Sequence, residues 1–149
     1  MADPRTLYER TVLDHARAPR NLRAISPCDR HAEGRNPLCG DELKTYLAVA
    51  DGTISDAAFE ARGCAVSIAA ASVLSEAIRG KSEAEAQAIV RAFASRLRGD
   101  VATSSETTSP ELDAFAALKD FPSRVRCATL SAETFLAALE KRSELVTTE

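Results

Sequence analysis

The sequence predicts an α+β fold, a small antiparallel β-sheet of about three strands packed against several α-helices. Three observations predict it. Leu43 to Ala50 alternates, with Leu43, Thr45, Leu47 and Val49 facing one way and Lys44, Tyr46 and Ala48 the other, as in a half-buried strand. Asp51-Gly52 is a strong type I′ turn signal, and Ile54 to Glu60 returns from it as the partner strand. On both sides of this hairpin, apolar residues recur every three or four positions between helix start and stop signals.

The first helix is expected over Thr6 to Ala18, with Leu7, Thr11, Val12, His15 and Ala16 near one face, and Pro19 stops it. His15 is assigned to packing or hydrogen bonding rather than to a metal, and so is His31, which has no ligand-like neighbour one helical turn away. Residues 20–35 read as irregular and polar, with one short strand around Asp29 to Gly34. Cys28, after Pro27, has no second candidate ligand beside it and reads as an incidental thiol. Beyond the hairpin, Cys64 opens a small-residue helix over Ala65 to Arg79, ended by Gly80 at C′. Ser82-Glu83-Ala84-Glu85 is a capping box that starts a helix to about Leu97, burying Ala86, Ile89, Val90, Phe93 and Leu97. Gly99 ends that helix, and residues 100–109, polar and without periodicity, read as an exposed mobile loop. Ser109-Pro110-Glu111 starts a short helix to about Lys119. Phe121-Pro122-Ser123 begins the last one, with Val125, Ala128, Ala132, Phe135 or Leu136, and Leu139 on its apolar stripe. Residues 1–149 read as a single domain.

Composition narrows the function classes. At 149 residues and 15.9 kDa the chain is long enough to bury one core, and 45% hydrophobic residues exclude a disordered chain. A net charge of -3 and a pI near 5.5 argue against nucleic acid as a partner. No signal peptide is visible, and no apolar run approaches the roughly 20 residues of a membrane helix, so a cytoplasmic protein is expected. Four cysteines in that compartment should be reduced thiols.

Chemistry concentrates at Asn36-Pro37-Leu38-Cys39-Gly40-Asp41, where a thiol and a carboxylate stand two residues apart in a loop shaped by Pro37 and Gly40. The hairpin brings this stretch, at the start of one strand, to Gly63-Cys64 at the end of the other. Cys64 at a helix N-terminus should favour thiolate, and Arg124 and Arg126 around Cys127 should lower that thiol as well. Cys39, Asp41, Cys64 and Cys127 are therefore candidate ligands for zinc or iron. No Cys-x-x-Cys pair occurs, so spacing alone does not establish that they share one ion.

Several motifs taken together resemble the NifU/IscU-like family of iron–sulfur cluster assembly proteins over nearly the full length. They are Leu13-Asp14-His15 with Pro19-Arg20-Asn21, then Asn36 to Asp41, Phe59 with Gly63-Cys64-Ala65-Val66-Ser67, Gly80-Lys81-Ser82, and Arg124-Val125-Arg126-Cys127-Ala128. The resemblance implies a small SufE/NifU-like α+β fold and one surface gathering Cys39, Asp41, Cys64 and Cys127. Within the family the chain looks like the SufU branch. Arg126 stands where the scaffold branch has histidine, Lys119 to Ser123 is not a Leu-Pro-Pro-Val-Lys stretch, and Cys64 and Cys127 are 127 − 64 = 63 residues apart, more than in scaffolds. A tryptophan common after the third cysteine of that branch is missing; Ala132 stands there. The SufU resemblance implies Zn²⁺ as the bound ion and a SufS-type cysteine desulfurase as partner. Persulfide sulfur would then be taken up on Cys39 and relayed to the cluster assembly machinery, with no nucleic acid and no membrane involved. The alternative is an IscU-like scaffold carrying iron or a [2Fe–2S] cluster on the same four residues.

Overall fold

The computed structural model describes residues 4–37, 40–98, 110–142 and 145–147, and the expected mobile loop at 100–109 lies outside them. Its elements run α1 (Pro4–Arg17), β1 (Arg30–Asn36), β2 (Asp41–Ala50), β3 (Thr53–Arg62), α2 (Ala65–Ile78), α3 (Glu83–Leu97) and α4 (Pro110–Ala114). A 3-10 helix (Phe115–Asp120), α5 (Pro122–Leu139) and β4 (Val146–Thr147) complete them. The expected α+β class is observed.

The hairpin forms as the turn chemistry requires. Asp51 and Gly52 both take positive φ, 53° and 75°, and β2 pairs antiparallel with β3 from Ala50↔Thr53 to Glu42↔Arg62. Leu43, Thr45 and Leu47 are buried while Glu42 and Lys44 are exposed, so the helices cover one face of the sheet. On that face α5 crosses β1 and β2, and α2 lies against β3 and α5. Strand order is β3-β2-β1-β4. The sheet therefore differs from the expected three antiparallel strands: β4 adds a fourth, parallel to β1 at Gly34↔Val146 and Arg35↔Thr147. Two residues are too short a stretch for any alternation to signal a strand.

Gly34 marks the closest approach of sheet and helix. A Cβ there would stand 2.1 Å from Thr134 Oγ1 and 2.9 Å from Leu130 Cδ1, both on the α5 face that covers β1. Gly34→Ala should lower stability by about 1–3 kcal/mol through overpacking, read as a shifted denaturant midpoint with unchanged slope.

Caps and periodicity account for the helices. Both hydrogen bonds of the Ser82/Glu85 capping box are present, at 3.1 Å and 3.0 Å. The helix begun at Pro110 tightens to 3-10 geometry at Phe115, where a longer α-helix was expected. Leu112, Phe115 and Leu118 are all buried at a spacing of three, which matches three residues per turn. His15 is a buried tie between helices, as its reading predicted. Its Nδ1 lies 2.7 Å from Ser72 Oγ and its Nε2 2.7 Å from Glu111 Oε2. The Arg20 amide also donates to Ser72 Oγ, at 2.8 Å. Asp14 beside it is paired with the Arg20 guanidinium at 2.8 Å. With both ring nitrogens and the nearby carboxylate engaged, this cluster joins α1, α2 and α4. Among the described residues no helix is long and apolar enough to cross a membrane.

Candidate metal centre

The centre is assembled at the end of the hairpin away from its turn. Asp41 opens β2 in phase with Leu43 and is 1% exposed. Pairing of Glu42 with Arg62 sets it beside Gly63 and Cys64, which leave β3 for α2. The Cys64 N–H donates to Asp41 Oδ1 at 2.9 Å. Ser67 Oγ lies 3.1 Å from Oδ2, and Cys64 Sγ 3.8 Å from the same oxygen. Gly63 permits this seat, because a Cβ on it would lie 2.1 Å from Oδ1.

Cys64 is the N-cap of α2 (φ -75°, ψ 162°), and its Sγ accepts the Ser67 N–H at 3.5 Å. Cys127 comes from the second turn of α5 and is buried. Its carbonyl oxygen is 3.2 Å from Ser67 Oγ, and Ser131 Oγ donates to the Ser67 carbonyl at 2.9 Å. One ligand atom each from Asp41, Cys64 and Cys127 lie within 4.8 Å of one another. Three of the four candidate ligands thus stand together, and Cys39 lies outside the described residues. Among the described residues Cys28 belongs to no such group; it sits near Tyr46.

The two thiols are joined by a hydrogen bond. A hydrogen bond from Cys127 pulls Cys64 down to about 6, helped by the Ser67 amide and opposed by burial and by Asp41. The same bond, burial and the Asp41 carboxylate push Cys127 up. This corrects the expectation that Arg124 and Arg126 lower Cys127. Arg126, next in sequence, does not share a helix face with Cys127, and both arginines, Arg124 at i−3 included, are exposed while Cys127 is buried. Arg124 instead lies against the Tyr8 hydroxyl, whose own pKa burial raises. The macrodipole also fades within the first turn, which Cys127 has passed.

The donor set fits a cation. Asp41 is a buried carboxylate whose hydrogen-bond partners among the described residues are an amide, a hydroxyl and a thiol, not a cationic side chain. Buried charges are paired or coordinate metals, and two sulfurs with one oxygen suit tetrahedral Zn²⁺. Sequence reasoning missed Ser67. Its position three residues after an N-cap, where an amide turns back to the capping atom, is the signal that marks it.

Residues 7–140 match the NifU-like N-terminal domain. The chain belongs to that family. It is 32% identical over 126 residues, covering 85% of this chain and 84% of the relative, to the zinc-dependent sulfurtransferase SufU of Bacillus subtilis. It is equally 32% identical, over 137 residues and 92% and 95% of the two chains, to the iron–sulfur cluster assembly scaffold protein IscU of Thermotoga maritima. Among solved structures, a protein from Fervidobacterium islandicum described as a SUF-system cluster assembly scaffold superposes with a TM-score of 0.79 at 29% identity. That match covers 90% of this chain and 97% of the other. The family resemblance of the motifs is therefore established, and identity alone does not separate its two branches.

Proposed function

We propose that this is an iron–sulfur cluster assembly protein that accepts persulfide sulfur from a SufS-type cysteine desulfurase in the cytoplasm, with Zn²⁺ held by Cys39, Asp41, Cys64 and Cys127. The observation that supports it most is the mixed centre, in which a buried, hydrogen-bonded carboxylate stands with two thiols. A carboxylate is a harder ligand than thiolate, so such a site is less closed than four cysteines and suits ligand exchange better than a purely structural role. Zinc, when bound, supplies charge that stabilises thiolates and no redox chemistry to oxidise a persulfide. The protein's own residues divide the work. Cys64 and Cys127 are anchored on helices, and Asp41 is cradled by the Cys64 amide and Ser67. Cys39, between Pro37 and Gly40, is assigned the acceptor role. Its thiolate attacks the outer sulfur of the enzyme persulfide, a new S–S bond forms on Cys39, and the enzyme's cysteine leaves as thiolate.

The similarity to the Thermotoga maritima IscU supports a second reading, a scaffold holding iron or a [2Fe–2S] cluster on the same residues. Arg126 before Cys127 favours the first. The test combines metal analysis of anaerobically purified protein with a desulfurase assay and mass spectrometry of the persulfide. One zinc per chain is expected, together with desulfurase stimulation and sulfur label on Cys39 that Cys39→Ser abolishes while the fold persists. Label mainly on Cys64 or Cys127 would move the acceptor, and purification with a cluster and no stimulation would select the scaffold.

A further inference from the structure

We propose that Ser67 is a positioning residue of this centre, one that competes with the cation for Asp41 and so keeps that ligand exchangeable. The inference rests on the metal-centre reading above. Ser67 touches all three clustered ligands: its N–H donates to Cys64 Sγ at 3.5 Å, and its hydroxyl lies 3.1 Å from Asp41 Oδ2 and 3.2 Å from the Cys127 carbonyl oxygen. A serine hydroxyl has one proton, and Asp41 Oδ2 and the Cys127 carbonyl oxygen both stand within reach of it, with Cys64 Sγ beside them. The residue is 3% exposed, which leaves its hydroxyl to these protein partners.

The two carboxylate oxygens are not equivalent. Oδ1 is held by the Cys64 amide at 2.9 Å and closed over by Gly63. Oδ2 faces Cys64 Sγ at 3.8 Å, which makes it the oxygen that a cation shared with the thiols would take. With Oδ2 engaged by a bound cation, the Ser67 proton would turn to the Cys127 carbonyl by rotation of the O–H bond alone. When the cation releases Oδ2, the proton turns back. A buried carboxylate is thereby never left without a donor, and the state with Asp41 off the metal costs less than it would without the hydroxyl. Ser131 braces the same turn through the Ser67 carbonyl at 2.9 Å without bonding to Asp41, which makes it the natural control.

The experiment loads wild type, Ser67→Ala, Ser67→Thr and Ser131→Ala with one zinc. It then follows release into excess chromophoric chelator, together with the melting temperature of each zinc-free form. Ser67→Ala should release zinc about tenfold more slowly, the size of one hydrogen bond to a charged group, while its zinc-free form melts lower. Ser67→Thr, which keeps the hydroxyl, should restore the wild-type rate. Ser131→Ala should melt lower with release unchanged. Ser67→Gly, a second variant without the hydroxyl, must agree with Ser67→Ala. Release from Ser67→Ala that is unchanged, or faster as for a residue that only orients its ligand, overturns the proposal and leaves the metal centre standing. A wild type that takes up no zinc overturns the metal centre itself, and the Ser67 proposal with it.

Discussion

Gly63→Ala is expected to abolish stoichiometric zinc binding and to lower stability by about 3 kcal/mol. The added Cβ would lie 2.1 Å from Asp41 Oδ1, 2.9 Å from its Cγ and 3.0 Å from its Cα. Because the last of these is backbone, turning the carboxylate aside does not relieve the clash. A φ of +153° adds strain for any side chain. Either Asp41 or the peptide leading into Cys64 must move, and both movements break the 2.9 Å bond from the Cys64 amide to Oδ1. Gly80→Ala is the matched control, since Gly80 has φ of +81° with nothing within 4 Å of the added Cβ. It should cost about 1–2 kcal/mol for the left-handed backbone and leave zinc binding intact. Denaturant midpoints with and without zinc, and metal content by elemental analysis, separate the two effects. Wild-type zinc content in Gly63→Ala would remove Asp41 from the ligand set.

Asp41→Ala should weaken zinc by more than the roughly 10–100-fold typical of a change outside the coordination sphere. A hundredfold loss of affinity removes about 2.7 kcal/mol of zinc-linked stability, so at free zinc about 100 times the wild-type Kd the zinc-induced rise in melting temperature should largely vanish. Sulfur acceptance and desulfurase stimulation should fall with it. On the scaffold reading the carboxylate instead keeps a cluster labile, and its removal should lengthen the life of a bound [2Fe–2S] cluster. Anaerobic reconstitution of wild type and Asp41→Ala with iron and sulfide, followed by visible absorbance and zinc content, decides between them. A coloured, stable mutant that passes its cluster intact to an apo-ferredoxin would sink the sulfur-transfer proposal. A colourless mutant with reduced zinc and little sulfur acceptance would support it.

What was legible in the chain was local. Asp51-Gly52 names its own turn type, the alternation from Leu43 marks the buried face, and Ser82 with Glu85 forms the expected capping box. The hairpin also implied that Asp41 and Cys64 end up together, because antiparallel pairing from a known turn fixes which residues meet at the open end. Each of these follows from covalent neighbours or a short period, so a few residues suffice to read it.

The tertiary structure alone decided the electrostatics of the centre. Arg124 and Arg126 flank Cys127 in sequence yet are exposed while it is buried, and its environment is set instead by Cys64 and Asp41 from distant elements. Asp41 meets its amide donor 23 residues away, and Ser67 meets the Cys127 carbonyl 60 residues away. Which tip of a side chain lands within 3 Å of which acceptor depends on helix placement over the sheet, and no local period encodes it. The pairing of β4 with β1, the 3-10 winding after Ala114 and the seat of Asp41 against Gly63 are of the same kind. The candidate ligand types and the turn that gathers them are therefore written in the chain, while the hydrogen bonds that tune them arise only when β2, α2 and α5 pack together.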